Sequence, residues 1–344
     1  MSDSLPAEPL SRGRRRAFVA LTLVCVVSAC AYVAWAATRD DAAGGTGAAG
    51  ARATTAADER GRTVVFQNVE GGHINGVAVA PIQLPRRRKL TKLGCERVYF
   101  GGGRGLCLVG KAGLTAPAYE VQFFDSRFVV RHERTVPGLP SRARVSADGR
   151  YGATTGFVSG DSYSDPSAFS TRTTIFDMVN GKVVADLEQF TATRDGSVVR
   201  SADRNFWGVT FGRDSDLFYA TMRAGGRTWL MQGSIRGRSL KALHENVECP
   251  SLSPDGTRVV YKKRVEQGDV IWQLYVLDLR TMKETKLAES GLVDDQAEWL
   301  DNDTVLYGMT DATIWQQPAD GSGAPRPFLD HALSPAVVAA AAPT

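Results

Sequence analysis

Apolar residues in this chain fall into short runs that alternate with polar positions, and small turn-forming residues separate the runs. The period is two, the signature of half-buried strands, and helical periodicity is scarce beyond the N-terminus. The clearest unit runs from Glu248 to Glu289. Cys249 to Ser253 is a short extended stretch. Pro254-Asp255-Gly256 then forms a tight turn, in which Pro fixes φ, Asp caps and Gly supplies a positive φ. Arg258 to Tyr261 is a second strand, Ile271 to Asp278 a third and Lys283 to Leu287 a fourth. The pattern predicts four antiparallel strands in about 40 residues.

The same order of strands and turns recurs. Units are predicted at Cys95 to Val136, Leu139 to Phe190, Asp203 to Asn246, Glu248 to Glu289 and Gly291 to Leu329. Their first turns align as Asp148-Gly149, Asp214-Ser215-Asp216, Asp255-Gly256 and Asn302-Asp303. A sixth unit is complete only when the two ends of the chain are joined. His331 to Pro335 then supplies the first strand, Thr63 to Gln67 the second, Asn75 to Ala80 the third and Arg88 to Thr91 the fourth. A circular array needs such closure, because open strand edges invite aggregation. Ala332 to Ala336 is therefore expected to be the innermost strand beside Val64 to Gln67.

The run from Ser253 to Asp278 (SPDG, a strand, then IWQLYVLDL) resembles the WD40-like repeat of the TolB-type propellers. The resemblance is specific over that run and extends as a strand pattern from about Arg60 to Pro335. It implies an all-β, six-bladed β-propeller over residues 60–340, in the cell envelope, that binds other proteins. TolB-type proteins carry an α/β domain ahead of the propeller. This chain has an apolar segment and a short linker there, so the outer-membrane partners of that family are not carried over. Fold by itself does not fix function.

Residues 1–16 end in Arg12-Gly13-Arg14-Arg15-Arg16 and form a basic tail. Ala17 to Ala37 follows, 21 residues without a charge, long enough for one transmembrane helix. The excess of arginine before it places the N-terminus in the cytoplasm and the rest outside. Three processing readings stand beside a retained anchor: a lipobox at Val27-Ser28-Ala29-Cys30, a signal-peptidase site at Ala34-Trp35-Ala36 and a twin-arginine signal at Arg15-Arg16. All of them export the main domain. Residues 38–59 are rich in Ala, Gly and Thr and read as a flexible linker.

Composition adds little chemistry. The 41 basic and 37 acidic residues nearly balance, so the chain has no nucleic-acid footprint. In an oxidising compartment Cys95 and Cys107, which flank the RVYFGGGRG hairpin, are expected to bridge, with Cys249 as the alternative partner. The four histidines are isolated and no C-x-x-C spacing occurs, which argues against zinc. Asp294, Asp295 and Glu298 cluster, but calcium wants more oxygens than three side chains supply. Gly160-Asp161-Ser162 lacks the strand-to-helix context of an esterase nucleophile. Arg86 to Lys89 suits protection of an outer strand edge, with anionic lipid or wall polymer as the alternative. The tryptophans at 207, 229, 272, 299 and 315 suit packing between blades.

No catalytic residue, metal or cofactor is expected. The function expected is a membrane-tethered scaffold, monomeric, for protein partners or a sensed ligand in the envelope. A propeller enzyme acting on an envelope carbohydrate or ester is the alternative. In a propeller the loops from second to third strands share one face with those linking successive blades. Here that face would gather Asp161, Tyr163, Asp165, Asp203, Asp294 and Asp295, an aromatic tip among acids suited to a basic or polar partner.

Overall fold

The turn between first and second strands is built the same way in two of the repeats. Ser146 Oγ donates to Asp148 at 2.7 Å, and Asp148 accepts the Arg150 amide at 3.0 Å. Ser253 Oγ donates to Asp255 at 2.6 Å, and Asp255 accepts the Thr257 amide at 3.0 Å. Each serine also accepts the amide five residues on, at 3.0 Å. Gly149 and Gly256 complete the turns at φ 68° and 75°, a region costly for a residue with a Cβ.

A computed structural model describes residues 61–70, 75–111, 117–160, 169–267, 270–289, 291, 293 and 297–338. All of these belong to one compact unit, Ala56–Thr344. The apolar segment 17–37, the linker 38–59 and the loop residues Asp161, Tyr163, Asp165, Asp294 and Asp295 lie outside the described residues. Among the described residues no helix is long and apolar enough to cross a membrane.

The strands form six antiparallel sheets, the blades of a propeller. Blade 2 comprises Arg97–Gly101, Arg104–Lys111, Ala118–Asp125 and Val130–Pro137. Blade 3 comprises Leu139–Val145, Tyr151–Ser159, Ser170–Asp177 and Val183–Asp186. Blade 4 begins with Asn205–Phe211, Leu217–Ala224, Arg227–Ser234 and Ser239–Glu245. Blade 5 comprises Glu248–Leu252, Arg258–Gln267, Val270–Asp278 and Glu284–Lys286, and blade 6 Glu298–Trp299, Thr304–Gly308, Ile314–Pro318 and Arg326–Leu329. The first strands pack side by side around the axis and close into a ring.

Blade 1 is made from both ends of the domain. Ala332–Val338 is its inner strand and pairs with Thr63–Asn68, with Val65 opposite Ala336 and Gln67 opposite Leu333; Gly76–Pro81 and Lys89–Gly94 follow outward. Alternate residues of Thr63–Asn68 serve opposite seams. Val64 and Phe66 pack with Leu306, Ile314 and Leu329 of blade 6. Val65 packs with Val98, Phe100 and Phe124 of blade 2. Both sheet faces are therefore dry, and each fully buried apolar side chain is worth about 1.5–3 kcal/mol. The second of these seams contains a disulfide from Cys95 to Cys107, 12 residues apart with Cα atoms 5.2 Å apart. Cys249 is free and buried.

Blade 4 departs from the repeat. Thr191–Arg194 adds to its outer edge, parallel to Ser239–Glu245, and Ser197–Val198 adds beyond that. This gives a six-stranded sheet where the sequence pattern predicts four. The segment TATRDGSV is too polar and too short to announce a strand pair. A three-residue 3-10 turn, Leu187–Gln189, leads into it. There the Glu188 carboxylate accepts the Thr173 amide at 2.9 Å, and its backbone carbonyl accepts Arg204 Nη2 at 2.9 Å. Burial pushes the Glu188 carboxyl from its ordinary 4.5 up to about 7.

Two outcomes follow. Deleting residues 332–344 removes the inner strand of blade 1 and opens two apolar seams; size-exclusion chromatography should show aggregation, and a monomer with unchanged melting would contradict the closure. Glu188 holds its proton more tightly folded than unfolded, so it costs stability once the pH exceeds the unfolded value, and increasingly up to its folded value near 7. Glu188→Gln is expected to stabilise the domain by about 2 kcal/mol at pH 8, with the gain gone below about pH 4.5, read by urea unfolding at both pH values.

Candidate functional site

The two faces of the ring differ. The turns joining first to second and third to fourth strands surround a funnel on the axis, with a cavity of about 640 Å³. The last residues of the inner strands make its wall: Phe100, Val145, Phe211, Leu252, Trp299 and Val338. Phe128 stands at the rim, stacked on Phe100 and Phe124 with ring centroids 5.9 and 5.5 Å away. Arg213 stands opposite, its Nε donating to the Pro254 carbonyl at 3.2 Å. The glycines Gly101 to Gly103 keep the blade 2 side low; a Cβ at Gly102 would lie 2.1 Å from the Gly149 nitrogen.

The floor of the funnel is polar and buried. Arg144 extends from the blade 3 inner strand across the axis to the Glu298 carboxylate of blade 6, with which it forms an ion pair. Its Nη2 also donates to Ser251 Oγ at 3.2 Å and to the Ala297 carbonyl at 3.1 Å. The Tyr99 ring of blade 2 lies 4.5 Å from the guanidinium carbon. Trp299 Nε1 donates to the Ser251 carbonyl at 2.8 Å, so blades 5 and 6 are joined at the same level. Burial opposes the charge on Arg144, yet Tyr99 and Glu298 beside it hold its pKa above the ordinary guanidinium value. Burial pushes the Glu298 carboxyl upward against the pull of Arg144, and pushes the Tyr99 hydroxyl up as well. Glu298, the third member of the acidic cluster weighed as a calcium site, is thus committed to an arginine.

The opposite face carries a smaller, charged cleft of about 340 Å³ between blades 4 and 5. Phe169, Trp207 and Gly226 line it together with three ion-paired arginines. Arg264 faces Glu248 at 3.4 Å, Arg227 faces Glu245 at 3.2 Å, and Arg223 faces Asp203 at 3.7 Å. Asp203 is the expected partner-binding residue that the described chain contains. Its carboxylate accepts from Ser201 Oγ and from the amides of Gly225 and Gly226, both at 2.9 Å. The Ser201 hydrogen bond, with the two amides and Arg223, holds its pKa down at about 2. Asp203 therefore shapes its own loop. Asp161, Tyr163, Asp165, Asp294 and Asp295 lie outside the described residues, so Asp203 alone of the expected set is placed.

The sequence reading missed the funnel and its floor. Arg144 and Glu298 are 154 positions apart, and no spacing rule links them. Among the described residues no group of three or more His, Cys, Asp or Glu side chains gathers to hold a metal. Glu298 is the one acidic side chain lining the funnel among the described residues.

Comparison with solved structures agrees with this architecture. The chain is similar to TolB from Acinetobacter baumannii, with 16% identity over 81% of this chain and 67% of that one and a TM-score of 0.56. It is also similar to a chain of a nidogen/laminin complex, with 11% identity over 82% of this chain and 99% of that one and a TM-score of 0.52. No protein-family model matches the chain, and no curated protein matches its sequence. At these identities the likeness is one of fold: this is a six-bladed β-propeller of TolB-like architecture.

The floor is open to a direct test. Arg144→Met alone strands a buried carboxyl and is expected to cost about 3–5 kcal/mol, whereas pairing it with Glu298→Met should restore most of that loss. Urea unfolding of the two single variants and the double variant measures the coupling. A double variant as unstable as the sum of the singles would show that the two side chains act independently.

Proposed function

We propose that this chain is a non-enzymatic scaffold of the cell envelope, whose propeller, exported and tethered by segment 17–37, receives a segment of a partner protein in its funnel. The observation that carries the reading is the funnel itself: a concave site of about 640 Å³ with an apolar wall and a polar floor. Concave apolar sites with a few fixed polar groups are where ligands bind. The wall gives area for an extended apolar segment, and Arg213 at the rim, its Nε on the Pro254 carbonyl, has terminal N–H groups left to meet an acidic or carbonyl group on it. Protein partners also fit the fold that the chain shares with TolB. Against an enzyme stands the chemistry of the lining. Among the described lining residues the single carboxylate, Glu298, is held by Arg144, and neither a histidine nor a cysteine accompanies it. The Tyr99 hydroxyl is within bonding reach of Glu298, but burial pushes it up and so holds its proton, which makes it a poor partner for general acid–base chemistry.

A photocrosslinking amino acid placed in cells at Arg213 or at Phe128 is expected to capture a discrete partner, and Leu252→Asp on the funnel wall should abolish the capture. Capture from Arg227 or Glu245 alone would move the site to the charged cleft. Thermal melting of Leu252→Asp separates loss of binding from loss of fold.

A further inference from the structure

The outer corner of blade 1 carries a surface that neither the funnel nor the ring uses. The loop from Pro81 to Arg88 turns twice, with the Leu84 amide on the Pro81 carbonyl at 3.1 Å and the Arg87 amide on the Leu84 carbonyl at 2.9 Å. These turns present Leu84, Arg86 and Arg87 outward. The strand Lys89–Gly94 that follows presents Lys89, Leu90 and Lys92. Leu84 is 49% exposed and Leu90 42%, and the Arg86 side chain is 84% exposed.

Arg88, in the same basic run, does something else. Its guanidinium donates to Asn68 Oδ1 at 2.7 Å and to the Asp330 carbonyl at 2.8 Å, and lies 5.4 Å over the Phe66 ring. It braces blade 1 against the loop leading into the closing strand. The remaining cations have little to offset them: Arg86 meets Asp330 at 3.7 Å, Glu70 is taken by Arg88 at 3.4 Å, and among the described residues Arg87, Lys89 and Lys92 form no ion pair.

We infer that this corner of blade 1, formed by Leu84, Arg86, Arg87, Lys89, Leu90 and Lys92, is a docking surface for an anionic lipid bilayer. Edge protection explains lysines on an outer strand, but it explains neither arginines in a preceding loop nor two exposed leucines among them. Cations interleaved with apolar side chains suit an interface that offers phosphates and acyl chains together. Position gives the second argument. The Ile82 amide binds the Arg62 carbonyl at 3.3 Å, so this loop is pinned where the chain joins the propeller. Val79 pairs with both Val65 and Lys89, which puts Lys89 about 10 Å from the strand Thr63–Asn68, two strand spacings. The linker 38–59 is 22 residues long, and a flexible chain of that length spans about 25 Å on average. The inference rests on the reading of 17–37 as the anchor only for proximity; the chemistry of the corner stands apart from it.

The test uses the full chain with nanodiscs of phosphatidylglycerol or of phosphatidylcholine. Lysine acetylation, followed by mass spectrometry, compares Lys89 and Lys92 with Lys241, an exposed lysine on the strand Ser239–Glu245 of blade 4. Labelling of Lys89 and Lys92 is expected to slow at least threefold on phosphatidylglycerol at low salt. It should recover in 0.5 M salt and in Arg86→Glu/Arg87→Glu, while Lys241 stays unchanged. Equal labelling on both lipids, or protection conferred only by an added anionic wall polymer, overturns the inference. Retention of the chain on discs in 0.5 M salt reads the anchor separately. A chain that washes off while Lys89 and Lys92 were protected at low salt removes the anchor and keeps the lipid surface.

Discussion

Everything in this domain depends on the pairing of Ala332–Val338 with Thr63–Asn68. A blade is a twisted sheet with two apolar faces, and neither face is covered until a neighbour stands on each side. Five blades in a row would leave two such faces in water, one at each end. The pairing converts an open stack into a ring, and Val64, Val65, Phe66 and Ala336 then sit in seams that are as dry as any other. The cost is entropic, since strands some 270 residues apart must meet, and the loss grows only slowly with loop length. The Cys95–Cys107 bridge lies in the seam beside this junction and, by closing the 12-residue loop around the first hairpin of blade 2, restricts the unfolded chain there.

The ring places unlike chemistry at unlike radii. Seams between blades are apolar and bind by area. The axis is polar, because every inner strand turns one side chain toward it, and there is room for only a few. Arg144 and Glu298 meet from opposite sides of the ring, with Ser251 and Tyr99 between them. A buried pair of this kind adds less to stability than its Coulomb attraction suggests, since both ions leave water. What it adds is registry, because the inner strands of blades 3, 5 and 6 must stand at one height for the bonds to form.

Much of the scaffold was legible in the sequence. Period-two runs and short turns, Ser-x-Asp-Gly in two of them, located the strands of five units, and joining the ends completed the sixth. Those signals are local, each held within a few residues by a serine, an aspartate and a glycine. Thr191–Arg194 was not legible, because a polar strand acquires its partner only when blade 4 already presents an edge. The funnel was not legible either. Phe100, Leu252 and Trp299 each read as one more apolar residue at the end of a strand, and only the ring brings them to one rim. The acidic loops stood out by composition, yet Asp203 spends its carboxylate on Ser201, Gly225 and Gly226. A charge visible in sequence says nothing about whether its own backbone has already claimed it.

The crossing of Arg144 to Glu298 also decides the shape of what this molecule can read. With that floor in place the funnel is crossed on the axis by the Arg144–Glu298 pair. A polypeptide threaded along the axis would have to break that pair. A partner segment of the kind proposed would enter by a free end or the tip of a tight bend, and would leave by the way it came. Recognition is then confined to the few residues at such a tip, and the length of the partner behind them is irrelevant to the fit.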